Sequence, residues 1–230
     1  MCGRYASARS ADELLDFYTA HPAENFSTLA ASWNIAPTSQ VYLIRNSLGK
    51  AERELTTARW GLTPQWAKSL DFSAKTINAR VETVATKPSF RDAFKSRRCL
   101  IPADGYFEWY TASGPISRKQ PFYIHNADGT PITFAGLFEE WNGVLTTTII
   151  TRPAIAQLQE VHDRMPVILG PSEWGSWVDS TVKNPEELVE FSAGIQNLAV
   201  YPVSFEVNSS RNNGPGLIHP VPAEIEQVLW

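Results

Sequence analysis

Through the middle of the chain apolar and polar residues alternate in short runs, and helical spacing is confined to brief segments. Gln40 to Arg45 alternates, Asn46-Ser47-Leu48-Gly49 follows as a turn, and a second extended run reaches through Thr57 to Trp60, which together predict a hairpin. Ahead of it, Trp33-Asn34-Ile35-Ala36-Pro37 is extended, because a residue before proline is steered away from helix. Further strands are predicted from Cys99 to Pro102, through the aromatic stretch Ala103 to Tyr110, over Pro121 to His125, Pro131 to Phe138 and Val144 to Thr151, and at Leu198 to Val203, with Asn126-Ala127-Asp128-Gly129 as a turn. Lys75 to Thr83 is a short stretch that can also be extended.

Helices are predicted over 11–19, 88–98, 153–161, 171–178 and 185–191, with a short terminal one from Pro222 to Trp230. The first is announced by a capping box, Ser10-Ala11-Asp12-Glu13, and the third by Pro153 in its opening turn. Lys95, Arg97 and Arg98 end the second as a favourable charge cluster rather than a phosphate site. Cys99 reads as a buried small hydrophobe. Strands dominate the centre and helices are scattered, without repeats, so the expected class is α+β, one domain over 1–230.

Composition narrows the function classes. No apolar run approaches the roughly 18 residues a membrane span needs, and no basic-then-apolar leader precedes Cys2. The only cysteines, Cys2 and Cys99, lie far apart, so a disulfide scaffold is not expected, and a reducing compartment is: cytoplasm, or nucleus in a eukaryote. His21, His125, His162 and His219 are scattered and no Cys-x-x-Cys occurs, so neither a metal nor another cofactor is expected. A formal charge of −4 excludes a generally basic nucleic-acid coat but allows a short, concentrated cleft. Nothing points to an obligate oligomer, and a monomer is expected.

The first residues, Met1-Cys2-Gly3-Arg4, hold chemistry that no interior residue can supply. Once Met1 is removed, Cys2 carries a free α-amine and a thiol on adjacent carbons. Such an aminothiol condenses with an aldehyde to an imine and then closes a thiazolidine ring. The amine, with a pKa of about 7.7–8.0, is far more often neutral near pH 7 than a lysine at about 10.4, and the thiol sits at about 8.5. Many proteins with Cys at position two make no use of it.

Other positions admit two readings each. Glu108, among Tyr106, Phe107, Trp109 and Tyr110, either points to water or is desolvated and fit for proton transfer. His162, crowded by Asp163, Arg164 and Pro166, is a cap or core residue or a proton carrier. Trp66, on the loop Gly61 to Trp66, is a packed lid or a stacking platform. Asn78 and Arg80 share a strand face by period two, as a polar edge or as a site. The polar loop from Asn208 to Gly216, with Arg211, is a linker or an anion contact.

Six blocks in order, Met1-Cys2-Gly3-Arg4, Trp33 to Pro37, Trp60 to Trp66, Ile77 to Thr83, Ala103 to Trp109 and His162 to Pro166, closely resemble the SOS-response-associated peptidase (SRAP) family, proteins that shield abasic sites in DNA. The resemblance implies one mixed domain on a mostly antiparallel, barrel-like sheet flanked by helices. It implies covalent capture of abasic sites in single-stranded DNA through Cys2, with Asn78 positioning the chain start, Glu108 as general acid/base and His162 as a second proton-transfer group. Arg4, Arg80 and Arg164 would hold flanking phosphates, Trp66 and Pro37 would wedge against neighbouring bases, and Thr151 and Arg211 would also touch DNA. The peptidase of the family name would be no more than removal of Met1 or cleavage of a leader to free Cys2, and lyase-like or reversal chemistry is also implied. The competing class is an N-terminal-nucleophile hydrolase of the amidotransferase kind, which also begins Met-Cys-Gly and uses its freed amine as base.

Overall fold

The central alternation closes on itself. The computed structural model describes residues 2–47, 52–110, 119–182, 185–190, 195 and 197–222. In chain order its strands are β1 (Tyr5–Ser7), β2 (Ala20–Pro22), β3 (Ser32–Ile35), β4 (Gln40–Asn46), β5 (Arg53–Trp60), β6 (Asn78–Arg80), β7 (Arg98–Ala103), β8 (Gly105–Tyr110), β9 (Gln120–Asn126), β10 (Ile132–Trp141), β11 (Val144–Pro153), β12 (Arg164–Pro166) and β13 (Leu198–Pro202). The helices are α1 (Ala11–Tyr18), α2 (Arg91–Ser96), α3 (Ala156–Gln159) and α4 (Pro171–Val178).

Strands β11, β10, β7, β4 and β5 pair antiparallel in that order, and β5 then returns to β11 in parallel through Arg59–Thr146 and Trp60–Thr147, completing a mixed barrel. Period two decides what each strand buries. Val41, Leu43, Ala58, Trp60, Cys99, Ile101 and Ile149 pack together inside. Their neighbours Tyr42, Ile44, Leu55, Leu100, Leu137 and Ile150 face outward into a second core under α1, α2 and α4. Gly136 is required within: a Cβ there would lie 2.7 Å from Ile101 and 2.9 Å from the Cys99 sulfur.

A second, five-stranded sheet runs β13-β9-β8-β1-β3. It joins the barrel core through aromatic edges, with Tyr5 at 5.1 Å from Trp60 and 5.8 Å from Phe134, and Tyr106 at 5.9 Å from Phe134. The expectation of an α+β fold on a mostly antiparallel, barrel-like sheet flanked by helices therefore holds in this architecture. Among the described residues no helix is long and apolar enough to cross a membrane.

Several boundaries differ from the sequence reading. The helix expected over 88–98 is only Arg91–Ser96, because Arg98 begins β7. Pro153 ends β11 instead of opening a helix, since 151–153 pair with 166–164 of β12, and α3 is a single turn beyond it. The helix expected over 185–191 is the 3-10 turn Pro185–Glu190, and within 75–83 only Asn78–Arg80 is strand. The helix expected from Pro222 lies outside the described residues beyond position 222, as do Leu48 and Gly49 of the first turn. The capping box is present, with the Ser10 side chain accepting from the Glu13 amide and Glu13 accepting from Ser10.

Arg98 is 2% exposed, and its guanidinium donates to four carbonyls at two helix ends: Phe94 (2.8 Å) and Lys95 (2.7 Å) of α2, Trp177 (2.7 Å) of α4, and Asp179 just beyond. Those carbonyls have no partners within their helices and carry the negative end of each dipole. One buried cation thus ties both helices to the barrel. Arg98→Met should lower stability by about 3 kcal/mol or more, because several buried carbonyls lose their donor. Urea unfolding measures it, with Arg91→Met, whose exposed side chain pairs with the exposed Asp92 at 3.6 Å, expected to cost clearly less.

Candidate functional site

Two strands bring the chain start into the core. β1 pairs with β8 through Tyr5–Tyr106 and Ala6–Gly105, and the Phe107 amide donates to the Arg4 carbonyl at 2.9 Å. Continuing that register sets Glu108 across from Gly3, beside Cys2. From the other side β6, paired in parallel with β11 at Ile149, presents Asn78, whose Nδ2 donates to the Cys2 carbonyl at 2.7 Å. Cys2 is fully buried. Burial, reinforced by the nearby Glu108 charge, raises its thiol pKa well above the usual value, so the sulfur is held as a neutral thiol.

Glu108 is 3% exposed, so the desolvated reading is the one realised. Burial pushes its pKa up to about 7, against the pull of the positively charged α-amine, which with Met1 in place belongs to Met1, while the Asp163 charge adds to the rise. A carboxyl at that value takes up and releases protons near neutrality, as a general acid/base must. His162 lies with Nε2 at 3.9 Å from Glu108 Oε2, and burial lowers its pKa below the ordinary imidazole value. Its Nδ1 meets opposite demands: the Arg164 amide at 2.9 Å needs it bare, whereas Asp163 Oδ1 at 2.8 Å favours a proton there. Asp163 is 85% exposed, so the part-buried amide has the stronger claim, which assigns the proton of the neutral ring to Nε2, toward Glu108.

The four residues expected to do chemistry, Cys2, Asn78, Glu108 and His162, are thus gathered from the chain start, β6, β8 and the turn before β12. The expected DNA contacts are more dispersed. Arg80 is exposed at the end of β6. Its register partner Thr151 is fully buried, and Arg164 Nη2 donates to the Thr151 carbonyl at 2.7 Å. Arg164 also grips Glu82 with both Nη atoms, and that hydrogen bond holds the Glu82 carboxyl below the usual range.

Arg4 Nη1 donates to Asn34 Oδ1 at 2.7 Å and to the Val207 carbonyl at 2.8 Å. Asn34 Nδ2 in turn donates to Ser209 (3.0 Å) and Asn212 (2.9 Å), so this pair anchors the loop bearing the exposed Arg211. Asn34 had no role in the sequence reading; the signal available was only a polar residue inside an extended apolar segment. Pro37 opens a turn in which Thr38 adopts φ 70°, a left-handed conformation that a β-branched residue rarely takes. It is held there by Thr38 N to the Trp60 carbonyl and by Arg59 to the Thr38 carbonyl, both 2.9 Å. Trp66 is 57% exposed, its ring edge-on to Phe72 at 5.3 Å. Among the described residues, no group of three or more His, Cys, Asp or Glu is placed to hold a metal.

A family model described as SOS response associated peptidase (SRAP) matches residues 1–210. The chain belongs to the SRAP family. Among SRAP relatives, the abasic site processing protein YoqW of Bacillus subtilis is 35% identical over 225 residues, covering 95% of this chain and 99% of that one. The Escherichia coli abasic site processing protein YedK is 31% identical, covering 96% of this chain and all of its own. A crystal structure of a Bacteroides thetaiotaomicron protein shares the fold with a TM-score of 0.81 at 23% identity, over 96% of this chain and 100% of that one. A phage-related protein from Bordetella bronchiseptica superposes with a TM-score of 0.68 at 28% identity, over 88% and 94%.

The raised Glu108 pKa carries a stability cost of known sign. Folding raises it from about 4.3 to about 7, so the folded state binds the extra proton in that window and stability falls as pH rises through it. Glu108→Gln should therefore match the parent SRAP chain below about pH 4.5 and exceed its stability above about pH 7, by on the order of 3 kcal/mol. Thermal unfolding of both across that range is the check; parallel curves would mean that Glu108 titrates normally.

Proposed function

We propose that this chain, once Met1 is removed, traps the ring-opened aldehyde of an abasic site in single-stranded DNA as a thiazolidine on Cys2. The amine adds to the aldehyde carbon and, with loss of water, leaves an imine. The thiol then adds across the C=N bond, its sulfur bonding to carbon and its proton passing to nitrogen. The observation that carries this reading is the placement of Cys2 between the Asn78 amide, at 2.7 Å from its carbonyl, and a Glu108 carboxyl that titrates near neutrality. The names of the relatives, abasic site processing proteins, support the same substrate.

In this reading Asn78 fixes the backbone on which the amine sits. Glu108 accepts the amine proton and returns it to the departing hydroxyl of the carbinolamine. His162, neutral and protonated on Nε2, supplies a donor on the sugar side and exchanges its proton with Glu108. A thiol held neutral suits the order of events, because the amine attacks first and the sulfur is needed only when the imine has formed. Arg80 meets a flanking phosphate, and Arg4, Arg164 and Thr151 hold the walls that receive the strand. Pro37, Trp66 and Arg211 contact it further out.

An oligonucleotide with one abasic site, incubated with the mature protein and run on a denaturing gel, should yield a slow-migrating covalent species. Cys2→Ala should reduce it to background. A protein retaining one residue ahead of Cys2 should do the same, because its nitrogen is an amide and cannot form the imine; N-terminal mass spectrometry confirms which form is present. Equal yield from either variant would sink the aminothiol mechanism.

A further inference from the structure

Next to Asn78 the surface opens into a groove of about 730 Å3. Its lining includes Lys75, Arg80 and Lys87 and the hydroxyl-bearing Thr83 and Thr86, with no carboxylate among the described residues. All three cations are exposed, and none forms an ion pair among the described residues. They arrive from separate elements: Lys75 ends the 3-10 turn Leu70–Lys75, Arg80 ends β6, and Lys87 follows in the turns before α2, its ammonium 5.3 Å from the Phe90 ring centre. In a chain of net charge −4, a groove with three cations in its wall is a local exception: Glu82 acts on Arg80 from outside the groove, and an anion inside it is attracted by all three.

Its neighbours indicate which anion. Its lining includes Asn78, the residue that grips Cys2. Pro88 is shared with a depression of about 440 Å3 that contains the exposed Trp66 together with Asp92 and the paired Arg97 and Glu139. Cations, hydroxyl donors and an aromatic face in succession match the phosphates and bases of one strand, and an acidic peptide has no use for the aromatic face.

We propose that Lys75 and Lys87 form a phosphate-binding station beyond Arg80, occupied by the backbone of the strand whose lesion meets Cys2. This rests on the abasic-site reading and adds a prediction of its own: affinity depends on the length of strand beside the lesion. Each lysine neutralises one phosphate and releases one condensed counterion, worth about 0.7 in the slope of log K against log salt for a single strand.

The test uses the full chain and fluorescent oligonucleotides carrying a tetrahydrofuran, a stable abasic analogue, with flanks of about two or about ten nucleotides. For the long strand, the Lys75→Ala/Lys87→Ala double variant should show a salt slope shallower by about 1.4, whereas the Lys→Arg double should keep the parental slope. On the short strand all three proteins should bind alike and, with a true abasic site, crosslink alike. An unchanged slope on the long strand overturns the proposal. So does an equal loss on both lengths, which would put the lysines at the lesion itself or in the fold. Polyglutamate captured by the parent and not by the alanine double, with the long strand unaffected, would assign the groove to an acidic peptide instead. Failure of the parent to crosslink any abasic strand would sink the covalent reading alone, since the length effect is measured without a covalent step.

Discussion

The structure depends on a terminal segment behaving as an interior strand. Chain ends are usually frayed because they have few partners to offset the entropy of ordering them. Here β1 lies between β8 and β3, with Tyr5 wedged against Trp60 and Phe134, so residues just after the terminus take part in the main core. That wedge aligns the register of β1 with β8, and the register sets Cys2 beside Glu108. A one-residue slip would exchange Tyr5 with Ala6, which packs on the other face of the sheet against Phe107, Tyr123, Val203 and Val207, and would put a large ring where only a methyl group fits.

Enclosure has a cost that falls on the polar groups. Glu108 is buried with a pKa near neutrality, Thr151 has no exposure, and Nδ1 of His162 cannot satisfy both neighbours with one protonation state. None of these choices favours stability. A Gln at 108 or an apolar residue at 162 would pack with less penalty, and the same desolvation that costs stability is what keeps a carboxyl ready to exchange protons. Thr38, held at φ 70° by the Trp60 carbonyl and Arg59, belongs with them as local strain tolerated where the surrounding barrel is firm.

The long strands were legible because period two is strong over seven to ten residues: β4, β5, β10 and β11 fall where alternation predicts them. The three-residue strands β1, β2 and β12 are too short to show a period, and around β12 the residues His162 to Pro166 carry no strand signal. In sequence Arg98 looks like a charged helix end, which stretches the expected helix to 88–98; only tertiary contacts reveal it as a buried strand residue serving two helix ends. Composition around Glu108 posed the right alternatives and could not choose between them, since which face of a strand meets water depends on the sheet packed beside it. The ordered blocks brought Cys2, Asn78, Glu108 and His162 together in advance. Lys75 and Lys87 stood out in none of them, because a charge in sequence does not show whether a carboxylate lies next to it in space.

The bond from Arg4 to the Val207 carbonyl joins positions 203 residues apart, and the one from Arg4 to Asn34 spans 30. The end of the polypeptide synthesised first is thus sealed only when a segment near the other end docks. Such non-local closure is a late event in folding, after the loop entropy of the intervening chain has been overcome. The surroundings of Arg4, two residues from Cys2, are therefore complete only once the segment around Val207 has docked.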